Sequence, residues 1–146
     1  YFSLLISFLS WGYLVPKISK NVSDAIKLLK FGAPLNLIVL AFIIYLGPKA
    51  GAYHWAFFAV SSVFLSLTQP AVGMAFSLSN AGKALTSFNL LLFIGAFALQ
   101  WIIGVIIDLT MNLGYSEISG FRFAMIFFLL TSFFSYLFFL IRNYKN

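Results

Sequence analysis

The stretch "LTSFNLLLFIGAFALQWIIGVIID" (85–108) decides the class of this protein. As a helix rising 1.5 Å per residue it covers about 36 Å, enough to cross a hydrocarbon layer of about 30 Å. Nearly every side chain in it is apolar, and it holds no charge before Asp108. Asn89 and Gln100 are the exceptions. They carry carboxamides into a segment built for lipid, where an amide without a hydrogen-bond partner is costly.

Working outward, the whole chain has the same character. Hydrophobic residues make up 62% and charged residues 8% of 146, with 19 phenylalanines. A soluble domain carries charge on about a quarter of its residues, so this chain cannot coat itself for water and its partner is the lipid bilayer. The net charge of +6 does not indicate nucleic acid, because the lysines sit at the ends of apolar runs, as in membrane topology signals. With no cysteine, disulfides and thiolate chemistry are excluded. The sole histidine, His54, lies at the edge of an apolar run, and Asp24, Asp108 and Glu117 lie at or outside run ends. No catalytic, metal or cofactor constellation is expected from them, so the chain is not read as an enzyme. It begins at Tyr1 inside an apolar run and is read as a fragment whose N-terminal part is missing.

Five apolar runs, at about 1–15, 31–48, 52–78, 85–109 and 121–141, predict an all-α, polytopic transmembrane helix bundle. The second is slightly short unless it extends back into 24–30. The connectors are "PKISKNVSDAIKLLK" (16–30), the Gly/Pro turn "GPKAGAYH" (47–54), the short turn "SLSNAGKA" (77–84) and "TMNLGYSEISGFR" (110–122). Alternating sides collects Lys17, Lys20, Lys27, Lys30, Lys83, Arg142 and Lys145 on one face of the membrane, against Lys49 and Arg122 on the other. The positive-inside rule places the first set, and the C-terminus, in the cytoplasm of a cell expected to carry this multi-pass protein in its cytoplasmic (inner) membrane.

Helical periodicity then sorts the runs. In the third, Ser62, Ser66, Gln69, Gly73 and Ser77 follow spacings of 4, 3, 4 and 4, which at 100° per residue form one stripe. Pro70 in the same run predicts a kink or local loosening, with Gly73 a second bending candidate. The fourth repeats the spacing with Asn89, Phe93, Ala96, Gln100 and Gly104. The first offers Ser3, Ser7 and Ser10. The second and fifth are mostly greasy; eight phenylalanines fall between 121 and 139. Stripes of small and polar residues can be packing contacts between helices or the wall of a water-accessible path. Both remain open for the serines and glycines, while three large amides, Gln69, Asn89 and Gln100, exceed what close packing requires.

The order of features resembles the C-terminal half of a major facilitator superfamily transporter, over its eighth to twelfth helices and essentially all of this chain. The most specific portion is "NAGKALTSFNLLLFIGAFALQWIIGVIID" (80–108), which is similar to a Gly-Arg-Ala-like turn followed by N…F.GAF..Q...G..ID, with Gly82-Lys83-Ala84 at the turn. "GYLVPKISK" (12–20) is similar to the superfamily's loop signature at Gly12, Leu14 and Lys20; Pro16 stands where an acidic residue is usual, and Ser19 replaces the second glycine. The resemblance implies most of one six-helix lobe of a two-lobed, alternating-access transporter. It implies a small-molecule solute and a missing N-terminal lobe as partners, the first, third and fourth runs toward a central cavity, and the second and fifth at the periphery. Two functions follow as expectations: secondary transport of a small solute, or a non-transporting subunit or scaffold whose polar faces pack against partner helices.

Overall fold

A computed structural model describes residues 2–144, and every regular element among them is helical: α1 (Phe2–Ile18), α2 (Val22–Leu46), α3 (Ala52–Ser62), α4 (Thr68–Ala75), α5 (Leu78–Asn112) and α6 (Glu117–Tyr144). Short 3-10 turns fill Gly47–Lys49 and Val63–Leu67. Lys145 lies outside the described residues, as do the side chains of Ser3 and Pro16. Four segments are long and apolar enough to cross a membrane: Val22–Lys49, Ala52–Ala75, Leu78–Asn112 and Glu117–Asn143. The first run forms a helix of 17 residues, Phe2–Ile18. The multi-pass character is carried by these four segments.

The first correction concerns residues 16–30. The connector there shrinks to 19–21, and Lys27 and Lys30 belong to α2. Asn21 is the reason. Its side chain accepts from the Asp24 N–H at 2.9 Å, while Asp24 Oδ2 accepts from the Lys20 N–H at 3.2 Å. These two bonds fix the start of α2 nine residues before the apolar run at 31.

α2 also takes a different place from the one expected. It packs against α3, the 63–67 turn, α4 and α6. Ala25, Leu29, Gly32, Ala33, Asn36, Leu40 and Ile43 form its buried face, while Phe31, Leu35, Ile38, Phe42 and Tyr45 form an exposed stripe at spacings of 4, 3, 4 and 3. One side thus suits lipid, and the other makes α2 the packing centre of the described bundle, not merely a peripheral helix. Gly32 is needed there: a Cβ would overlap the Phe64 side chain, and the Phe64 ring also meets Trp11 edge-on at 4.8 Å between centroids. That contact ties α1, the 63–67 turn and α2 together.

Pro34 sits inside α2 and cannot donate to the Lys30 carbonyl four residues earlier. Tyr136 of α6 supplies the missing donor, its hydroxyl reaching Lys30 O at 2.8 Å. Lys30 Nζ in turn reaches the Asn143 carbonyl near the end of α6 at 3.5 Å, where a cation complements the helix dipole. The start of α2 and the end of α6 are pinned together at this end of the bundle.

The third run is interrupted as Pro70 predicts, but on its N-terminal side. Pro70 leaves the Ser66 carbonyl without its helical donor, and Val63–Leu67 winds as 3-10 helix. The hydroxyls of Ser62, Ser66 and Thr68 donate to carbonyls three residues back, Ala59, Val63 and Leu65, at 2.7–2.8 Å. Five residues at 120° instead of 100° rotate everything after them by about 100°.

α4 and α5 form a close hairpin broken only at Phe76–Ser77, so the expected 77–84 turn is helical from Leu78 onward. At the far end α5 stops in a Schellman motif. Gly114, at φ +87, donates to Met111 O at 2.9 Å, and Tyr115 N–H donates to Thr110 O at 3.1 Å. Ser116 Oγ then accepts from the Ser119 N–H at 3.3 Å to open α6. Gly120 lets α6 lie on α5, since a Cβ there would stand 2.7 Å from Thr110 Oγ1.

Candidate functional site

The amides singled out by the helical periodicity stand on α4 and α5. Gly73 faces the Leu85 side chain across the α4–α5 hairpin. Moving four residues away from the turn on each helix sets Gln69 and Asn89 at one depth. α5 has its midpoint at Gly95, so Asn89 and Gln100 lie about 9 Å and about 8 Å to either side of it. With α5 centred in the bilayer both are inside the ~30 Å hydrocarbon layer.

Gln69 and Gln100 are exposed and Asn89 is half-buried. Among the described residues none of these three amides has a hydrogen-bond partner. Phe93 is 71% exposed between Asn89 and Gln100. Gly104, one turn beyond Gln100, is half-buried, yet a Cβ there would meet nothing within 4 Å. Close helix approach therefore does not account for it. Of the clefts that indent the bundle, four are lined by described residues, and none of these four has Gln69, Asn89 or Gln100 in its wall. Gln69 and Gln100 thus lie on an outward surface of the described bundle, with Asn89 partly covered beside them.

The other residues expected along the path are distributed differently. Ser62 and Ser66 are half-buried, with hydroxyls bonded back to their own helix. Ser62 lines a cleft of about 340 Å³ between α2, α3 and α6 together with Asn36, Thr68, Ser132 and Tyr136. The 3-10 turn has rotated it away from Gln69, so the third run does not carry a single stripe. Ser7 is half-buried on α1, which packs on α3 and the 63–67 turn. The α3–α4 unit therefore lies between α1 and α5. Gly12 and Leu14, expected in a loop motif, lie within α1, and Gly82 and Lys83 lie within the opening turns of α5; Lys20 alone remains in a connector. Ala81 and Ala84 favour helix strongly enough that Gly82 does not break it.

One polar group escaped the sequence reading as a structural partner. Asn36, on the helix taken as greasy, is 7% exposed; its Nδ2 donates to Ser61 Oγ at 2.9 Å and to Phe58 O at 3.3 Å, while Ser61 Oγ donates to Phe58 O at 2.9 Å. This closed triangle bonds α2 to α3 inside the bundle. His54 acts locally in a comparable way, since its Nδ1 accepts from the Gly51 N–H at 3.1 Å and so caps α3.

Charge separates between the two ends. Contacts of Lys30 with α6 and of Gly73 with α5 put Lys17, Lys20, Lys27, Lys30, Lys83 and Arg142 at one end. The 47–55 turn and the start of α6 share a cleft at the other end, with Lys49 and Arg122. Comparison with protein-family models, with curated proteins and with solved structures finds no match to this chain.

Proposed function

We propose that the chain is most of one lobe of a major facilitator-type secondary transporter that moves a small solute by alternating access. The observation that carries the reading is the set of three carboxamides at membrane depth, none with a partner among the described residues. An unbonded amide in pure hydrocarbon costs roughly 4 kcal/mol or more, so three of them are not a lipid-facing surface. They meet water, a solute or a polar wall contributed by another part of the protein. Gln69, Asn89 and Gln100 would bond the solute, with Phe93 beside them as an apolar contact. The 63–67 turn, Pro70 and Gly73 would let α3–α4 bend. The end rich in lysine would face the cytoplasm with the C-terminus, in a cytoplasmic membrane.

A second reading has its own support. Phe93, Phe97 and Trp101 surround the amides on the exposed face of α5, a surface also suited to packing against partner helices in a non-transporting subunit. Single cysteines at positions 66, 69, 93 and 100 separate the two. In the transporter they react with a membrane-impermeant thiol reagent, and Gln69→Leu or Gln100→Leu lowers solute flux in vesicles while membrane insertion is unchanged. Protection at all four positions would transfer the assignment to the scaffold, and undiminished flux in both variants would remove Gln69 and Gln100 from the path.

A further inference from the structure

α2 and α6 are pinned at one end, by Tyr136 and Lys30, and parted at the other. Between them, beneath the 47–49 turn, opens a cleft of about 570 Å³, within the range of about 300–1,000 Å³ typical of ligand sites. Its interior is apolar, with Ile43, Ile44, Trp55, Ile118 and Phe121 in the wall, and its polar rim holds Ser119 and Arg122. Two local choices shape it. Gly47, at φ +55, turns the chain off the end of α2, and Gly120 draws the start of α6 onto α5 and so away from α2.

The rim is cationic. Arg122 is exposed and has no ion pair or hydrogen bond among the described residues, and Lys49 follows Pro48 of the cleft wall. Glu117 does not neutralise Arg122: five residues earlier on α6, it stands about 140° around the helix. Trp55 marks this end as the level where indole rings sit between hydrocarbon and headgroups. We infer that the cleft holds one anionic phospholipid, an acyl chain against the α2 and α6 wall and the phosphate at Arg122. The match is one of charge and depth together: a guanidinium at headgroup level above an apolar slot that opens into the bilayer. The inference rests on membrane residence and is independent of transport.

Trp55 lies in the cleft wall and serves as the probe. In a variant with Trp11→Phe and Trp101→Phe it is the only indole. The protein is placed in phosphatidylcholine vesicles carrying a minor fraction of brominated lipid, either phosphatidylglycerol or phosphatidylcholine. Brominated phosphatidylglycerol is expected to quench Trp55 more strongly at equal fraction. Arg122→Gln should weaken that preference about five-fold, the effect of one basic side chain near an anionic headgroup, while Arg122→Lys keeps most of it. Equal quenching by both lipids would show ordinary bilayer at the site and overturn the inference. A phosphatidylglycerol preference unaffected by Arg122→Gln would do the same. So would a Trp55 that neither lipid quenches, which would mean that a protein segment covers the cleft.

Discussion

The bond from Tyr136 to Lys30 invites a double substitution whose outcome depends on one missing hydrogen. Tyr136→Phe removes the hydroxyl that reaches the Lys30 carbonyl at 2.8 Å. That carbonyl has no helical donor because residue 34 is proline. Interhelical hydrogen bonds in membrane proteins average about 0.6 kcal/mol and reach about 1.7. This one belongs near the upper end, since its loss leaves a backbone acceptor unpaired rather than exchanging partners. About 1.4 kcal/mol is expected, a tenfold drop in the folding equilibrium. Pro34→Ala restores an N–H that can bond Lys30 from within α2. In that background Tyr136→Phe should cost less than about 0.5 kcal/mol, leaving a coupling of about 1 kcal/mol. Unfolding in mixed micelles, followed by tryptophan fluorescence and helical circular dichroism, measures all four corners of the cycle. An equal cost with and without Pro34 would refute the claim that the hydroxyl compensates for proline.

Gly32→Ala places a methyl against the Phe64 side chain and should destabilise by about 1–3 kcal/mol in the same unfolding assay. Two glycines on the α5–α6 hairpin should behave oppositely in thermal melts. Gly104→Ala enters open space and gains up to about 1 kcal/mol of helix propensity, whereas Gly120→Ala meets Thr110 Oγ1 at 2.7 Å and the Ile107 Cα at 3.4 Å and loses about 1–3 kcal/mol. A stabilising Gly120→Ala would mean that α6 is free to slide on α5.

The membrane-spanning class was legible because spans of lipid length declare themselves in composition, and 121–141 matches α6 within a few residues. What lay beyond the sequence follows from how lipid blurs the usual signal. In water an apolar helix face is a buried face; in a bilayer Phe31 and Leu29 are equally welcome, though one faces out and the other lies in the core. The central place of α2 was therefore hidden, and only its small residues, Ala25, Gly32 and Ala33, hinted at it. The rotation of Ser62 away from Gln69 was hidden for another reason. A stripe drawn at a constant 100° per residue fails wherever a proline converts part of the helix to 3-10 winding. On α5, where no such interruption occurs, Asn89, Phe93 and Gln100 keep the spacing the sequence shows. The bond between Asn36 and Ser61 joins residues 25 apart in sequence, and no local pattern encodes it.

α5 is 35 residues long, about 52 Å of helix. At about 40°, the steep end of tilts seen in membrane proteins, it still stands about 40 Å tall. That is about 10 Å more than the hydrocarbon layer. None of its residues is buried, so packing resists a change in its inclination less than it would for α2. Bilayer thickness thus becomes a variable for this helix: a thin membrane lets it lean, a thick one stands it upright. The depth at which Asn89 and Gln100 are presented shifts with it.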